Sequence, residues 1–202
     1  MKPIVVLLAV LGLAGATRAA AEEMKPMETK TEFAVLGGGC FWCLEGVFER
    51  VPGIKAVVNG YAGGHGSDPT YEEVCSHTTG HAEVVRIEYD PAQVTYGHLL
   101  DVFWQAHDPT SLNRQGADEG PQYRSIILYA DDAQKAAAEK SKIAAQAELS
   151  RPIVTEIVSL QKFWPAEDYH QHYFAKHPNQ GYCALVIRPK IAKLQKEGVI
   201  SK

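Results

Sequence analysis

The residues best suited to chemistry lie in a glycine-rich segment, Gly37–Cys43, with the sequence GGGCFWC. An apolar run, Phe33–Leu36, enters it like a short strand, and apolar residues at helical spacing follow it. Cys40 is therefore expected in a turn at the start of a helix, where unpaired N–H groups and the helix dipole favour a thiolate over a thiol. Phe41 and Trp42 follow at once. The pattern predicts an activated sulfur nucleophile beside an apolar pocket.

Other interpretations of this segment lead to different chemistry. A glycine-rich strand-to-helix turn can bind phosphate, but neither the Lys-Ser/Thr pair nor the GxGxxG pattern is present. Cys40 and Cys43 also form a C-x-x-C pair, which is typical of a dithiol redox couple or of half a zinc site. His170 and His172 are the only candidates for the other half of such a site, and the one-residue gap between them is short for it.

A candidate acid lies in the alternating segment His81–Tyr89. Glu83 shares a face with Val85, Ile87 and Tyr89, which is the more apolar face and the one expected to be buried. An inward carboxylate is either paired with a cation or kept neutral by desolvation, and a neutral one can donate a proton at pH 7. A strand-end glutamate that reaches water fits the alternation equally well.

Two more polar segments precede or follow predicted elements. The loop Gln115–Ser125 contains Asp118 and Tyr123, and its composition alone favours a solvated acidic turn. Asp168–Tyr173 combines aromatic residues with two histidines. We interpret it as a helix that caps a pocket with half-buried rings, in preference to a metal or proton-relay site.

The order of the strands and helices predicted around these residues indicates an α+β fold. We expect a two-layer, split βαβ (ferredoxin-like) core with an extra helix and an irregular C-terminal tail. The predicted strands are Glu32–Leu36, Ile54–Tyr61, Ala82–Tyr89, Arg124–Tyr129 and Ile153–Leu160. The predicted helices are Cys40–Val51, Thr95–His107, Asp131–Leu149 and Ala166–Lys176.

Taken together, the motifs resemble the A class of peptide methionine sulfoxide reductases. The resemblance runs in the family's order from about Phe33 to Cys183, which is nearly all of the chain after its N-terminal segment. The motifs that carry it are Gly39–Trp42, Gly60–Gly64, Pro69–Val74, Thr79–Glu83, Gln115–Ser125 and Glu167–Gln171.

The resemblance implies a role for each matching residue. Cys40 matches the nucleophile and Glu83 the acid that protonates the sulfoxide oxygen. Tyr71 and Tyr123 match hydroxyls that bind this oxygen, and Asp118 matches a carboxylate that organises the site. Two aromatic residues match the walls that hold the S-methyl group of the substrate; these are Phe41 and Trp42.

The identity of the resolving thiol is a point of departure from the family. Many relatives carry either the second cysteine of C-x-x-C or the tail Gly-Tyr-Cys, and this chain has both Cys43 and Cys183. A disulfide needs Cβ atoms about 3.8 Å apart, whereas helix residues three apart are about 5–6 Å apart. We therefore predict that Cys183, on a mobile tail beginning with Pro178–Gly181, resolves Cys40 first. Cys75 has no assigned role.

The resemblance implies reduction of methionine S-sulfoxide, free and in proteins, through a sulfenic acid and an intramolecular disulfide. A thioredoxin-like donor restores the thiols, and no metal or bound cofactor is required. Two alternatives are a thiol-disulfide oxidoreductase that uses Cys40 and Cys43, and a zinc-binding interaction module.

The N-terminal residues predict export. Lys2 precedes an apolar run, Ile4–Ala16, and three alanines, Ala19–Ala21, supply a cleavage site. We expect a signal peptide at 1–21 and a single domain at 22–202, of which 22–31 is a mobile leader. The net charge of −4 without basic clusters argues against nucleic-acid binding. The expected product is a periplasmic or secreted monomer without stable membrane association.

Overall fold

A computed structural model describes residues 31–201. The predicted signal peptide, 1–21, and all of the predicted leader except Thr31 lie outside the described residues. The strands are β1 Glu32–Gly37, β2 Ile54–Ala62, β3 Ala82–Tyr89, β4 Arg114–Gln115, β5 Asp118–Glu119, β6 Ile126–Tyr129, β7 Glu156–Ser159 and β8 Phe163–Pro165. The α-helices are α1 Phe41–Phe48, α2 Tyr71–Cys75, α3 Tyr96–Ala106, α4 Asp132–Ala147, α5 Tyr173–Lys176 and α6 Arg188–Lys196.

Six of the strands form one sheet, in the order β7-β6-β1-β3-β2-β8. All neighbours are antiparallel except β6 and β7, which are parallel. The strands β4 and β5 form a separate small hairpin. The predicted combination of helices with a β-sheet is confirmed, and β8, the hairpin, α2 and α6 are additions to the predicted elements.

The core lies mainly on the helical side of the sheet. Val85, Ile87 and Tyr89 of β3 belong to a large buried cluster with residues of α1 and α3. The other side of the sheet carries a smaller buried cluster that includes Val84 and Ile126. Because both faces of β3 are covered, the strand holds its register firmly, and a one-residue slip would move Glu83 to the opposite face.

The C-terminal segment is not the irregular tail that we predicted. Cys183–Ile187 forms a π-helical turn that leads directly into α6. Ile187, Ile191 and Leu194 are buried in the main core and follow helical spacing, so the segment gains apolar burial by becoming helical. Pro189 lies in the first turn of α6, where the missing N–H of proline breaks no helical hydrogen bond.

The predicted single helix Ala166–Lys176 is also wrong. The structure has a 3₁₀ turn, Asp168–His170, and the short helix α5, separated by His172 in the left-handed region at φ 54°. The cause is a side chain on α1: the Glu45 carboxylate accepts the backbone N–H groups of His172, at 2.6 Å, and Tyr173, at 3.1 Å. These bonds hold the chain in a turn that a continuous helix would not allow.

The remaining elements differ from the predictions only at their ends. The largest differences are at β7 and α1, each four residues shorter than the predicted Ile153–Leu160 and Cys40–Val51. Among residues 31–201, no helix combines the length and apolar character needed to cross a membrane.

Candidate active site

Cys40 lies between β1 and α1, as predicted, and is the N-cap residue of that helix. The turn is closely packed. A Cβ at Gly38 would lie 2.9 Å from the His107 ring, and a Cβ at Gly39, where φ is +90°, would lie 2.7 Å from the Gln115 side chain. Glycine is therefore required at both positions. The turn is fixed between these two side chains, and Cys40 is fixed with it.

Glu83 points into the protein next to this turn. Its side chain is shut off from solvent, with 1 % of the residue exposed, so the predicted inward register is confirmed and the alternative of a glutamate reaching water is wrong. The Phe41 backbone N–H donates a hydrogen bond to its Oε2 at 3.0 Å. Burial raises the pKa of Glu83 to about 8, against the opposing effect of that N–H. At pH 7 this carboxyl group holds a proton that it can give away.

The two thiols of the C-x-x-C pair interact with each other. Burial, followed by the contact with Cys43 and the nearby Glu83 carboxylate, raises the pKa of Cys40. The hydrogen bond from Cys40 lowers the pKa of Cys43 to about 7, with help from the Lys190 ammonium. The predicted Cys40 thiolate is therefore wrong for the substrate-free site, because desolvation outweighs the effect of one short helix. The interaction thus makes Cys43 the more acidic thiol of the pair.

Tyr182 is a site residue that the sequence analysis missed. Its hydroxyl donates to Asp118 Oδ2 at 2.5 Å and lies 3.6 Å from Cys43 Sγ. Asp118 is thus held beside the thiol pair, although it lies 64 positions from Tyr182 in the sequence. The Gly-Tyr-Cys motif places the tyrosine next to Cys183, which is the one sequence signal that could have indicated a role for it.

Tyr71 and Tyr123 are both half-buried close to Glu83. Burial raises the pKa of each hydroxyl, and the Glu83 carboxylate adds to the effect in both, so the two groups remain protonated donors. The Tyr123 carbonyl accepts the Gly39 N–H at 3.1 Å, and the Tyr71 backbone N–H donates to Glu167 Oε1 at 2.8 Å. These bonds tie both tyrosines to the elements around the cysteine turn.

Phe41 and Trp42, which follow Cys40, form an aromatic wall with their ring centroids 6.1 Å apart. Trp42 stacks on Tyr173 with ring centroids 3.7 Å apart and planes 7° apart, and the His170 ring lies 5.0 Å from Phe41. The Asp168–Tyr173 segment therefore caps this wall, as interpreted from the sequence, but as a broken turn and not as a helix. His170 is more deeply buried than expected, with 2 % of its surface exposed.

The other two cysteines lie at the edge of the site. Cys183 is fully buried in the π-helical turn, and Cys75 is partly exposed at the end of α2. The expectation that Cys183 lies on a mobile tail is wrong, since that residue packs in the main core. Cys40, Cys43, Cys75 and Cys183 are all free thiols in the structure.

The described residues do not assemble the zinc site considered from the sequence. Across residues 31–201, the one cluster with suitable geometry for a metal consists of Glu45, Glu49 and His172, and it contains no cysteine. His172 Nδ1 is bonded to Glu49 Oε1 at 2.7 Å, and Glu45 is occupied by backbone N–H groups.

Comparison with known proteins agrees with this geometry. The family described as PMSR, peptide methionine sulfoxide reductase, matches residues 32–202. A peptide methionine sulfoxide reductase MsrA from Leptospira borgpetersenii is 55% identical over 167 residues, which cover 83% of this chain and 95% of the relative.

Solved structures are similar in fold as well as in sequence. The reduced form of Mxr1 from Saccharomyces cerevisiae matches with a TM-score of 0.73 and 34% identity, covering 80% of this chain and 94% of that one. Mxr1 in complex with Trx2 matches with a TM-score of 0.53 and 25% identity, covering 75% and 91%. From the family match and the identity to its relatives, this chain belongs to the peptide methionine sulfoxide reductase family.

Proposed function

We propose that this chain reduces methionine S-sulfoxide, free and in proteins, with Cys40 as nucleophile and Glu83 as general acid. As a member of its family it is a peptide methionine sulfoxide reductase, an oxidoreductase. The observation that carries the assignment of roles is the buried Glu83 carboxyl, with a pKa of about 8 and a hydrogen bond from the residue that follows Cys40.

The first step joins Cys40 Sγ to the sulfoxide sulfur. Transfer of the Cys40 proton to Cys43 provides the attacking thiolate, since the two thiols already interact. Glu83 gives its proton to the departing oxygen, and the hydroxyls of Tyr71 and Tyr123 donate hydrogen bonds to it. The protonated oxygen then passes from the substrate sulfur to Cys40 Sγ as the bond between the two sulfur atoms breaks, so methionine leaves, Cys40 becomes a sulfenic acid and Glu83 is left ionised.

In the second step Cys43 attacks the Cys40 sulfenic acid, a Cys40–Cys43 disulfide forms, and water leaves. This order replaces the one we expected from the sequence. Cys43 is in contact with Cys40, whereas Cys183 is fully buried in its π-helical turn, and of the two thiols it is Cys43 whose charge acts on it. We also include a later exchange, in which Cys183 attacks Cys43 and a Cys43–Cys183 disulfide replaces the Cys40–Cys43 disulfide, because the Cys43 charge acts on Cys183.

A thioredoxin-like dithiol donor then restores the thiols. The complex of the related yeast Mxr1 with Trx2 supports this mode of recycling. In this proposal the donor works outside the cytoplasm, on a monomer that has lost residues 1–21 and has no stable membrane association. The apolar run Ile4–Ala16 followed by small residues supports export.

We further assign the four central strands to a split βαβ (ferredoxin-like) core within a single domain. The strand order β6-β1-β3-β2, with antiparallel neighbours, supports this assignment.

The test is methionine formation from each sulfoxide epimer, with thioredoxin, thioredoxin reductase and NADPH as the electron source. The S epimer is expected to be consumed and the R epimer to persist. Cys40→Ser is expected to abolish turnover, because a serine hydroxyl does not ionise at this pH and cannot replace a thiolate. Substantial methionine formation by Cys40→Ser would end the proposal. Reduction of disulfides with no reduction of either sulfoxide would favour the alternative, a thiol-disulfide oxidoreductase that uses Cys40 and Cys43.

A further inference from the structure

A cavity of about 420 Å³ opens beside the thiol pair, on the side of the C-terminal helix. Cys40 and Cys43 line it, together with Lys190 and Lys193 of α6. Its lining does not include the side chains assigned to the sulfoxide, which are Phe41, Trp42, Tyr71, Glu83 and Tyr123. The cavity is therefore a second approach to the same two sulfur atoms. Its volume is within the range of small-molecule sites.

Lys190 is the unusual charge in this cavity. Its side chain is half-buried, and it makes neither an ion pair nor a hydrogen bond within residues 31–201. In the oxidised protein Cys43 is part of the disulfide and carries no charge, so the Lys190 ammonium has no counter-ion among the described residues, and a bound anion would supply one. Lys190 is also close enough to Cys43 to act on its charge. An anion held by Lys190 is thus held beside a redox-active sulfur.

The carboxylates on the cavity wall are already engaged. Asp108 Oδ2 accepts from the Arg151 guanidinium at 2.7 Å. Asp118 accepts from the Tyr182 hydroxyl. The second cation, Lys193, is exposed and lies 4.0 Å from Glu197, one turn further along α6. Lys190 is accordingly the charged group of the cavity that is available to bind a ligand.

We propose that this cavity admits a small thiol reductant that carries a carboxylate, with the carboxylate on Lys190 and the sulfur directed to Cys43. The inference rests on the proposed function in one respect, since it concerns the return of the Cys40–Cys43 disulfide to thiols. It adds a class of electron donor to that function and makes Lys190 a specificity-determining residue.

The chemistry balances with two molecules of thiol. The thiolate of the first attacks Cys43 Sγ, forms a mixed disulfide and releases Cys40 as a thiolate. The thiolate of the second attacks the reductant's own sulfur in that mixed disulfide and releases Cys43. The two reductant molecules lose two electrons and leave as their disulfide, and the protein disulfide gains those two electrons.

The experiment uses the full chain with Cys75→Ser and Cys183→Ala, so that only one disulfide can form. Diamide oxidises the pair, so no sulfoxide is involved and a failure here is separate from a failure of the proposed function. Reduction is followed by alkylation and mass measurement, with mercaptopropionate and with the neutral mercaptoethanol at equal thiolate concentration. The ratio of the two rates is compared between variants, so the intrinsic reactivity of each thiol cancels.

Lys190→Gln is expected to lower the ratio of anionic to neutral rate by roughly fivefold or more, and Lys140→Gln, on the exposed face of α4, to leave it unchanged. Added salt is expected to reduce this ratio of rates in the protein that keeps Lys190, and to change it little in Lys190→Gln. Equal ratios in all three proteins would overturn the proposal. So would an equal slowing of both thiols by Lys190→Gln, which would mean that Lys190 acts only on the Cys43 charge, or the same loss in Lys140→Gln.

Discussion

Two carboxyl groups, Glu45 and Glu83, are both shut off from solvent, with 0% and 1% exposed, but their surroundings differ. Glu45 accepts three hydrogen bonds, from Asn59 Nδ2 at 2.8 Å and from the backbone N–H groups of His172 and Tyr173. Glu83 accepts one, from the Phe41 N–H. Burial raises the pKa of Glu45 only to about 6 and that of Glu83 to about 8.

The number of donors therefore separates a structural carboxylate from a chemical one. At pH 7 Glu45 is mainly ionised and fastens the turn that carries Tyr173, the stacking partner of Trp42. Glu83 is mainly protonated in the same solvent-free interior, and it lies beside Cys40, the proposed nucleophile. The same residue type thus serves as a structural hydrogen-bond acceptor in one region and as a proton donor in the other.

The largest expected effect on activity comes from removing the proton of Glu83. Glu83→Gln keeps an acceptor for the Phe41 N–H but has no proton to give at this pH. We predict a fall in the rate of methionine formation of roughly 100-fold or more, the range of general-acid contributions. The measurement is a single-turnover assay on the S epimer. A rate within a few-fold of the wild type would reduce Glu83 to a structural residue.

The matched substitution at Glu45 should lower stability more than activity. In Glu45→Gln the amide NH₂ faces the N–H donors of the turn, and at least one buried donor loses its acceptor. We predict a loss of about 1–3 kcal/mol in the free energy of unfolding by urea, the usual cost of such a group. Glu83→Gln at pH 7 serves as the control and should lose less. Equal losses in the two variants would mean that their surroundings do not differ as described.

Stability should also depend on pH through Glu83. The pKa is raised in the folded state, from a usual value of 4.5 to about 8, so the folded protein holds this proton more tightly. The contribution is fully present below pH 4.5 and is lost as the pH rises through about 8, with a limiting slope of about 1.4 kcal/mol per pH unit. Urea unfolding at several pH values should show this loss in the wild type and much less of it in Glu83→Gln. Parallel curves would contradict the raised pKa.

The smallest effect is expected at Cys183. Because Cys43 is the thiol in contact with Cys40, Cys183→Ala should still form one methionine and one Cys40–Cys43 disulfide per enzyme. Peptide mapping after one equivalent of sulfoxide would test this. A Cys40–Cys183 disulfide as the first product in the wild type, with a stalled sulfenic acid in Cys183→Ala, would restore the order expected from the sequence.

Much of the site was predictable because it depends on local pattern. The glycines before Cys40 predicted its turn, and strand alternation predicted the inward side chain of Glu83. The donors that set a pKa were not predictable, since those of Glu45 come from residues 14 and 127 positions away. The lowered pKa of Cys43 likewise depends on its contact with Cys40 and on Lys190, which the sequence does not place.

In the C-terminal segment, the local pattern did predict the observed helix, but the sequence analysis gave more weight to the residues before it. Ile187, Ile191 and Leu194 follow helical spacing and predict a helix with one buried face, but the neighbouring Pro178–Gly181 suggested a mobile tail. Packing on α1 decided the outcome. The local breakers end at residue 181, and the helical pattern begins only after them.

The central claim is that Glu83 carries a proton at pH 7 while Glu45 does not. Difference infrared spectroscopy of the wild type, Glu83→Gln and Glu45→Gln measures this directly through the C=O stretch of a protonated carboxyl group. We predict a buried carboxylic-acid band at pH 7 that titrates near pH 8, disappears in Glu83→Gln and persists in Glu45→Gln. The absence of such a band at pH 7, or its loss in Glu45→Gln and not in Glu83→Gln, would contradict the account.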